Sequence, residues 1–116
     1  IPVFCSLDDV KENILKYSKN NLDLITFVKG KVEDTLVIEK NLPNKISLLR
    51  LDTDFYDSIK KSLDILYPRL VKGGVLIIDD YGHFKGAKIA VDDYFRDKKS
   101  IWMHRVDYTC RLMIKP

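Results

Sequence analysis

From Leu7 onward, apolar residues recur at spacings of three and four: Leu7, Val10, Ile14 and Tyr17. That is the period of one helix face. Asp8 and Asp9 stand at its start, where the helix dipole favours acids, and Asn20-Asn21 is read as its end. Residues 24–28 form a short, partly β-branched apolar segment before Gly30, which predicts a strand and a turn. Residues 33–40 fit no single period, and Pro43-Asn44 marks a loop. Ile46-Ser47-Leu48-Leu49-Arg50-Leu51 reads as a second strand running straight into Asp52-Thr53-Asp54. The next helix shows Tyr56, Ile59, Leu63, Leu66 and Tyr67 on one face and Lys60, Lys61 and Asp64 on the other, and Gly73-Gly74 ends it. Val75-Leu76-Ile77-Ile78 is an unbroken apolar run, as expected of a parallel strand covered on both faces, and Asp79-Asp80 follow at its carboxyl end. A loop with Gly82 and Gly86 leads to a helix over 87–96, and 101–106 and 109–114 read as an antiparallel strand pair.

Helices alternating with apolar strands predict an α/β fold. Open α/β sheets bind ligands at the carboxyl ends of their strands. This sequence places its acids at those ends.

Composition narrows the class without deciding it. With 116 residues, 46% hydrophobic and 32% charged, the chain is one globular domain at most, read over 1–116 as a single partial domain. A net charge of +3, scattered among acids, gives no stripe for nucleic acid. No apolar run reaches the ~20 residues of a membrane span, and no secretion leader opens the chain. Cys5 and Cys110 lie far apart without metal-ligand spacing, which predicts free thiols in a reducing, cytoplasmic setting.

The chemistry lies in Asp52, Asp54, Asp79 and Asp80, at the ends of two strands that should be neighbours. Carboxylates brought this close repel one another unless a cation lies between them. Oxygen-only ligands suit Mg²⁺, Mn²⁺ or Ca²⁺. A plainer account makes Asp54 a helix cap and Asp80 a turn residue. Three enzyme or signalling classes fit in part. A metal-dependent glycosyltransferase explains the Asp-x-Asp of Asp52 and Asp54 but leaves Asp79-Asp80 unused. A haloacid-dehalogenase phosphatase is weakened by Tyr56 at the fifth motif position. A receiver domain should open with an acidic pair like Asp79-Asp80, but here the pair comes late.

The ordered string Leu49-Arg50-Leu51-Asp52-Thr53-Asp54-Phe55-Tyr56-Asp57-Ser58, Leu66-Tyr67-Pro68-Arg69-Leu70 and Gly73-Gly74-Val75-Leu76-Ile77-Ile78-Asp79-Asp80-Tyr81-Gly82 closely resembles the macrocin O-methyltransferase (TylF-like) family. Gly30 with Glu33-Asp34-Thr35-Leu36, and Ala90-Val91-Asp92-Asp93-Tyr94-Phe95, extend the likeness over nearly the whole chain. The resemblance implies a Rossmann-like class I methyltransferase sheet with a C-terminal antiparallel strand pair. It further implies an S-adenosylmethionine-dependent, Mg²⁺-assisted O-methyltransferase acting on a small-molecule, sugar-like hydroxyl acceptor. Asp52, Asp79 and Asp80 would hold the metal and Asp54 would act as general base. Gly30, Glu33 and Asp34 would mark the adenine edge of the cofactor site, to which the neighbourhood of Asp52 would add. Thr53 stands where many members have Gly.

The family's glycine-rich cofactor turn has no counterpart before Leu24, so the chain is read as a C-terminal portion lacking the first two strands. Strand 24–28 would then have no neighbour. The expectation is a homo-oligomer, or a rearranged strand. An inactive α/β module is the main alternative to an enzyme. Elsewhere, His83 is a candidate substrate contact, and Lys85 and Arg111 are candidates for an anionic group. His104 is read as structural, and Trp102 and Tyr108 are expected to pack the strand pair.

Overall fold

A computed structural model describes residues 5–18, 22–98 and 101–116. Helix α1 (Leu7–Ser18) opens with a reciprocal cap, in which the Asp9 N–H donates to Ser6 Oγ at 3.1 Å and the Ser6 N–H to Asp9 Oδ2 at 3.3 Å. The helix end expected at Asn20-Asn21 lies outside the described residues. A 3-10 turn (Leu22–Leu24) follows, and 25–28 are irregular rather than the expected strand. The reason is that a strand exists only through its neighbour's hydrogen bonds, and no described strand lies beside this segment. The ambiguous stretch resolves into α2 (Val32–Thr35) and a 3-10 turn (Glu39–Asn41).

Among the described residues, four strands form one sheet: β1 (Ile46–Leu51), β2 (Leu70–Ile78), β3 (His104–Arg105) and β4 (Arg111–Ile114), in the order β1-β2-β4-β3. β1 and β2 are parallel and joined through α3 (Tyr56–Leu66) and a 3-10 turn (Tyr67–Arg69). β2 reaches β4 through α4 (Lys85–Phe95), and the β2–β4 and β4–β3 pairs are antiparallel. The expected C-terminal pair is therefore present, with its second member inserted next to β2. β2 begins at Leu70, five residues before the apolar run, because Leu70 pairs with Ile46 and the Gly73 N–H donates to the Lys115 carbonyl. Gly73 bends this stretch at φ +82°, a conformation glycine adopts without a Cβ clash.

Strand alternation sends Leu49 and Leu51, Leu76 and Ile78, and Met113 to one face, laterally in register as Leu49↔Leu76↔Met113. There they meet Ile59 and Leu63 of α3 and Ala87, Ala90 and Val91 of α4, all with 0% exposure. Small residues on α4 let it sit close to α3, where the Tyr56 hydroxyl donates to Asp93 Oδ2 at 3.0 Å. The opposite face differs from expectation. Val75 and Ile77 are only half-buried and Leu48 is 59% exposed. The described residues place both long crossover helices, α3 and α4, on one side, so the β2 run is covered on one face rather than two. Among the described residues, no helix is long and apolar enough to cross a membrane.

Candidate functional site

The Asp79 N–H donates to the Leu51 carbonyl at 3.0 Å, so the parallel ladder continues one residue past β2. Asp52 and Asp79 thus leave the sheet side by side. Arg50, two residues before Asp52 and hence on the same side of the strand, pairs with Asp52 at 3.1 Å and also with Asp79. Its guanidinium is held above its ordinary pKa, first by the charge of Asp52 and then by its bond to Asp79. One residue further, in the turn past β2, Asp80 lies against Asp54 and Asp52.

Asp80 is the most perturbed acid at this end. Burial first, then the Asp54 charge, then contact with Asp52 push its carboxyl from 3.8 to about 6. Its Oδ2 is buried and has no hydrogen-bond partner among the described residues. Ionised, it meets only acceptors; protonated, it can donate to Asp52 or Asp54. The four acids of the sequence therefore divide. Asp52, Asp54 and Asp80 converge, while Asp79 is engaged by Arg50. The capping account of Asp54 does not hold, since Phe55 is the N-cap residue of α3 and no side chain caps that end. Asp80 serves its turn through its carbonyl, which accepts from the N–H groups of His83 (3.2 Å) and Phe84 (3.0 Å), leaving the carboxylate free of that duty.

Hard oxygens, excess negative charge and an orphaned buried carboxylate oxygen fit a small divalent cation in chemistry. Among the described residues, however, no group of three or more His, Cys, Asp or Glu is already arranged as a metal cage.

Beside the acids lies an open hollow of about 620 Å³, lined by Gly30, Glu33, Asp52 and Asp54 among others. Gly30 has φ +135°, and a Cβ there would come within 2.8 Å of the Thr35 methyl. Asp34 is exposed on α2 and is not part of this lining. A larger hollow, about 880 Å³, lies beside the N-terminal ends of β1 and β2. There Arg69 ties down the preceding loop through the Pro43 carbonyl and Glu39, and the hollow lacks the converging aspartates.

On the other flank, the β2–α4 loop packs against the β3–β4 loop. The Gly82 N–H donates to the Thr109 carbonyl at 2.9 Å. Asp107 Oδ1 accepts from the N–H groups of Cys110 (2.8 Å) and Thr109 (2.9 Å), which hold its carboxyl below the usual range. Arg111 lies over the Tyr81 ring at 5.0 Å, and the Tyr81 hydroxyl donates to Asp92 at 2.7 Å. Lys85, the other anion candidate, is exposed at the first position of α4. Trp102 and Tyr108 do not pack the strand pair as expected; both project outward, with β3 only two residues long and too short to shelter them. Trp102 instead donates its indole N–H to His104 Nδ1 at 3.3 Å.

The sequence and the fold both have known counterparts. The profile of the macrocin-O-methyltransferase (TylF) family matches residues 3–115. The chain belongs to this family. Among curated members, it is 37% identical over 76% of its length to the 8-demethyl-8-(2,3-dimethoxy-alpha-L-rhamnosyl)-tetracenomycin-C 4'-O-methyltransferase of Streptomyces olivaceus, covering 32% of that protein. It is 34% identical over 77% of its length to the demethyldecarbamoylnovobiocin O-methyltransferase of Streptomyces niveus, covering 33% of it. The solved structure of the O-methyltransferase NovP superposes with a TM-score of 0.85 at 28% identity, over 95% of this chain and 45% of that one. The fold implied by the sequence resemblance is therefore the fold found, and the chain spans about a third of the length of the curated relatives it matches. Arg50 is the site residue that the sequence reading passed over. Its signal was its place two residues before Asp52 on one strand.

Proposed function

We propose that this chain carries the metal- and acceptor-facing part of an S-adenosylmethionine-dependent, Mg²⁺-assisted O-methyltransferase acting on a sugar-like hydroxyl. The observation that carries this reading is the convergence of Asp52, Asp54 and Asp80 at the ends of two parallel strands, in a chain of the TylF family. Relatives support the acceptor class: one is named for the 4' oxygen of a rhamnosyl-tetracenomycin and another, from Micromonospora griseorubida, for the 3'' oxygen of mycinamicin III.

Asp52 and Asp80 are the proposed metal ligands, joined by Asp79 when Arg50 releases it. When bound, Mg²⁺ supplies positive charge that lowers the pKa of an acceptor hydroxyl. Asp54, beside Asp80, accepts the hydroxyl proton as general base. S-adenosylmethionine, when bound, would supply the methyl group, its carbon–sulfur bond breaking as the acceptor oxygen takes the methyl carbon and S-adenosylhomocysteine leaves. Gly30, Glu33 and Asp52 line the hollow suited to the cofactor's edge, and Asp34 stands outside it on α2.

Calorimetric titration of S-adenosylhomocysteine into the chain, with Mg²⁺ and then with EDTA, tests the reading. Mg²⁺ binding that EDTA abolishes is expected, with binding of the cofactor product weaker than in a relative that carries the glycine-rich turn. A folded chain that binds neither Mg²⁺ nor the cofactor product would sink it.

A homo-oligomer belongs to the same proposal. β1 has a neighbour on one side only among the described strands, and Leu48 projects from its uncovered face. Light scattering should report a mass above 13.5 kDa. A monomer at all accessible concentrations counts against the proposed assembly.

A further inference from the structure

We infer that His83 and Tyr108 form an aromatic ledge that binds the sugar ring of the acceptor, an assignment that rests on the O-methyltransferase reading above. The two rings meet edge to face, with centroids 5.9 Å apart and planes at 70°. His83 is braced from behind by Phe84, at 4.8 Å and 88°. Tyr108 is 61% exposed, yet its backbone is tethered at several points. Its carbonyl lies so close to Gly82 that no Cβ would fit between them. Asp107 closes the turn around it through the N–H groups of Thr109 and Cys110. Arg111 Nη1 donates to the carbonyls of Asp107 and Tyr108 at 3.1 and 3.4 Å. An exposed aromatic pair on a tethered backbone loses little freedom on binding, which favours a recognition surface over an idle one.

Its place in the sheet says what it would recognise. In the order β1-β2-β4-β3, the carboxyl ends of β1 and β2 and the amino end of antiparallel β4 share one edge. Along that edge the hollow with Gly30 and Glu33 lies on the β1 side, the converging aspartates lie in the middle, and the ledge lies on the β4 side. A methyl donor in the hollow and a hydroxyl at the aspartates leave the ledge for the remainder of the acceptor. The ring face of Tyr108 carries negative charge density, and His83 braces that ring edge to face. A pyranose presents C–H bonds polarised by neighbouring oxygens, and these pack against such faces as weak C–H donors. The hydroxyls on its other side stay free to reach the carboxylates.

The test is a two-dimensional NMR titration of the isotopically labelled full chain with methyl α-L-rhamnopyranoside, alongside a separate titration with MgCl₂. The inference expects saturable shifts at the amides of Gly82, His83, Tyr108 and Thr109. Tyr108→Ala should weaken binding about tenfold, the order of one lost aromatic contact, and Tyr108→Phe should retain it. Tyr108 is exposed, so both variants should fold, and their spectra will show it. Shifts confined to other residues, equal affinity for Tyr108→Ala, or no saturable shift at all would overturn the ledge. The MgCl₂ arm reports at Asp52, Asp54 and Asp80 independently. A metal response without a sugar response removes the ledge and leaves the enzyme reading standing. A sugar response without a metal response keeps the ledge and removes the metal-assisted chemistry.

Discussion

Replacing Gly82 by alanine should destabilise the chain by about 2–4 kcal/mol, the upper range for inserting atoms into a packed site. A Cβ at this position would lie 1.8 Å from the Tyr108 carbonyl oxygen and 2.9 Å from its carbon. Both atoms are backbone, so no side chain can swing aside to make room. Gly82 does not have a positive φ, so alanine also brings a small opposing gain of ~0.4–1 kcal/mol by restricting the unfolded chain. The net effect must still be a loss, because relief requires the β3–β4 loop to move away and breaks the Gly82 to Thr109 hydrogen bond. Calorimetry should show Tm falling by roughly 10 °C for a chain of this size. Gly73→Ala is the contrast: nothing lies within 4 Å of its Cβ, and the cost there comes only from φ +82°. Equal losses for the two variants would mean that the close packing of the two loops is not what holds them.

Asp80→Asn should do two opposite things: stabilise the metal-free chain at pH 8, and weaken Mg²⁺ binding at least about 100-fold. The second figure exceeds the 10–100-fold typical of outer-shell changes, since a proposed ligand itself is lost. The first follows from proton linkage. Asp80 titrates near 6 in the folded chain against 3.8 ordinarily. Well below pH 4 it is protonated folded or unfolded and contributes no pH-dependent difference. As pH rises through this window the unfolded chain releases its proton first, so stability falls, and the full penalty is in place above about pH 6. Asparagine has the same shape and never ionises. Its advantage should therefore be absent at pH 3.5 and largest above pH 6, a Tm gain of roughly 3–6 °C, as for ~1 kcal/mol. Saturating Mg²⁺ should close that gap by stabilising the wild-type chain alone. An Asp80→Asn chain no more stable at pH 8 would show that the three carboxylates do not crowd one another.

Much of this was written locally. The three-and-four spacing of Leu7, Val10, Ile14 and Tyr17, and of Tyr56, Ile59 and Leu63, appears as α1 and α3 because a helix's hydrogen bonds and its apolar face both lie within one short segment. The order of motifs from Leu49 to Gly82 pointed to the family without coordinates, and the strand-end aspartates marked the candidate site. Residues 25–28 were as apolar and β-branched as any strand, yet they form none, because a strand's hydrogen bonds belong to its neighbour. Trp102 and Tyr108 looked like core aromatics, and only the shortness of β3 left them outside.

The acids show the division most clearly. By itself the sequence determined that Asp52, Asp54, Asp79 and Asp80 would meet at one end of the sheet, because two adjoining parallel strands end there. Only the tertiary structure decided that Asp79 faces Arg50 while Asp80 turns inward to Asp52 and Asp54. Alternation along a strand separates consecutive side chains onto two faces, but which face is buried depends on where α3 and α4 come to rest, and that is set by contacts between residues far apart in the chain.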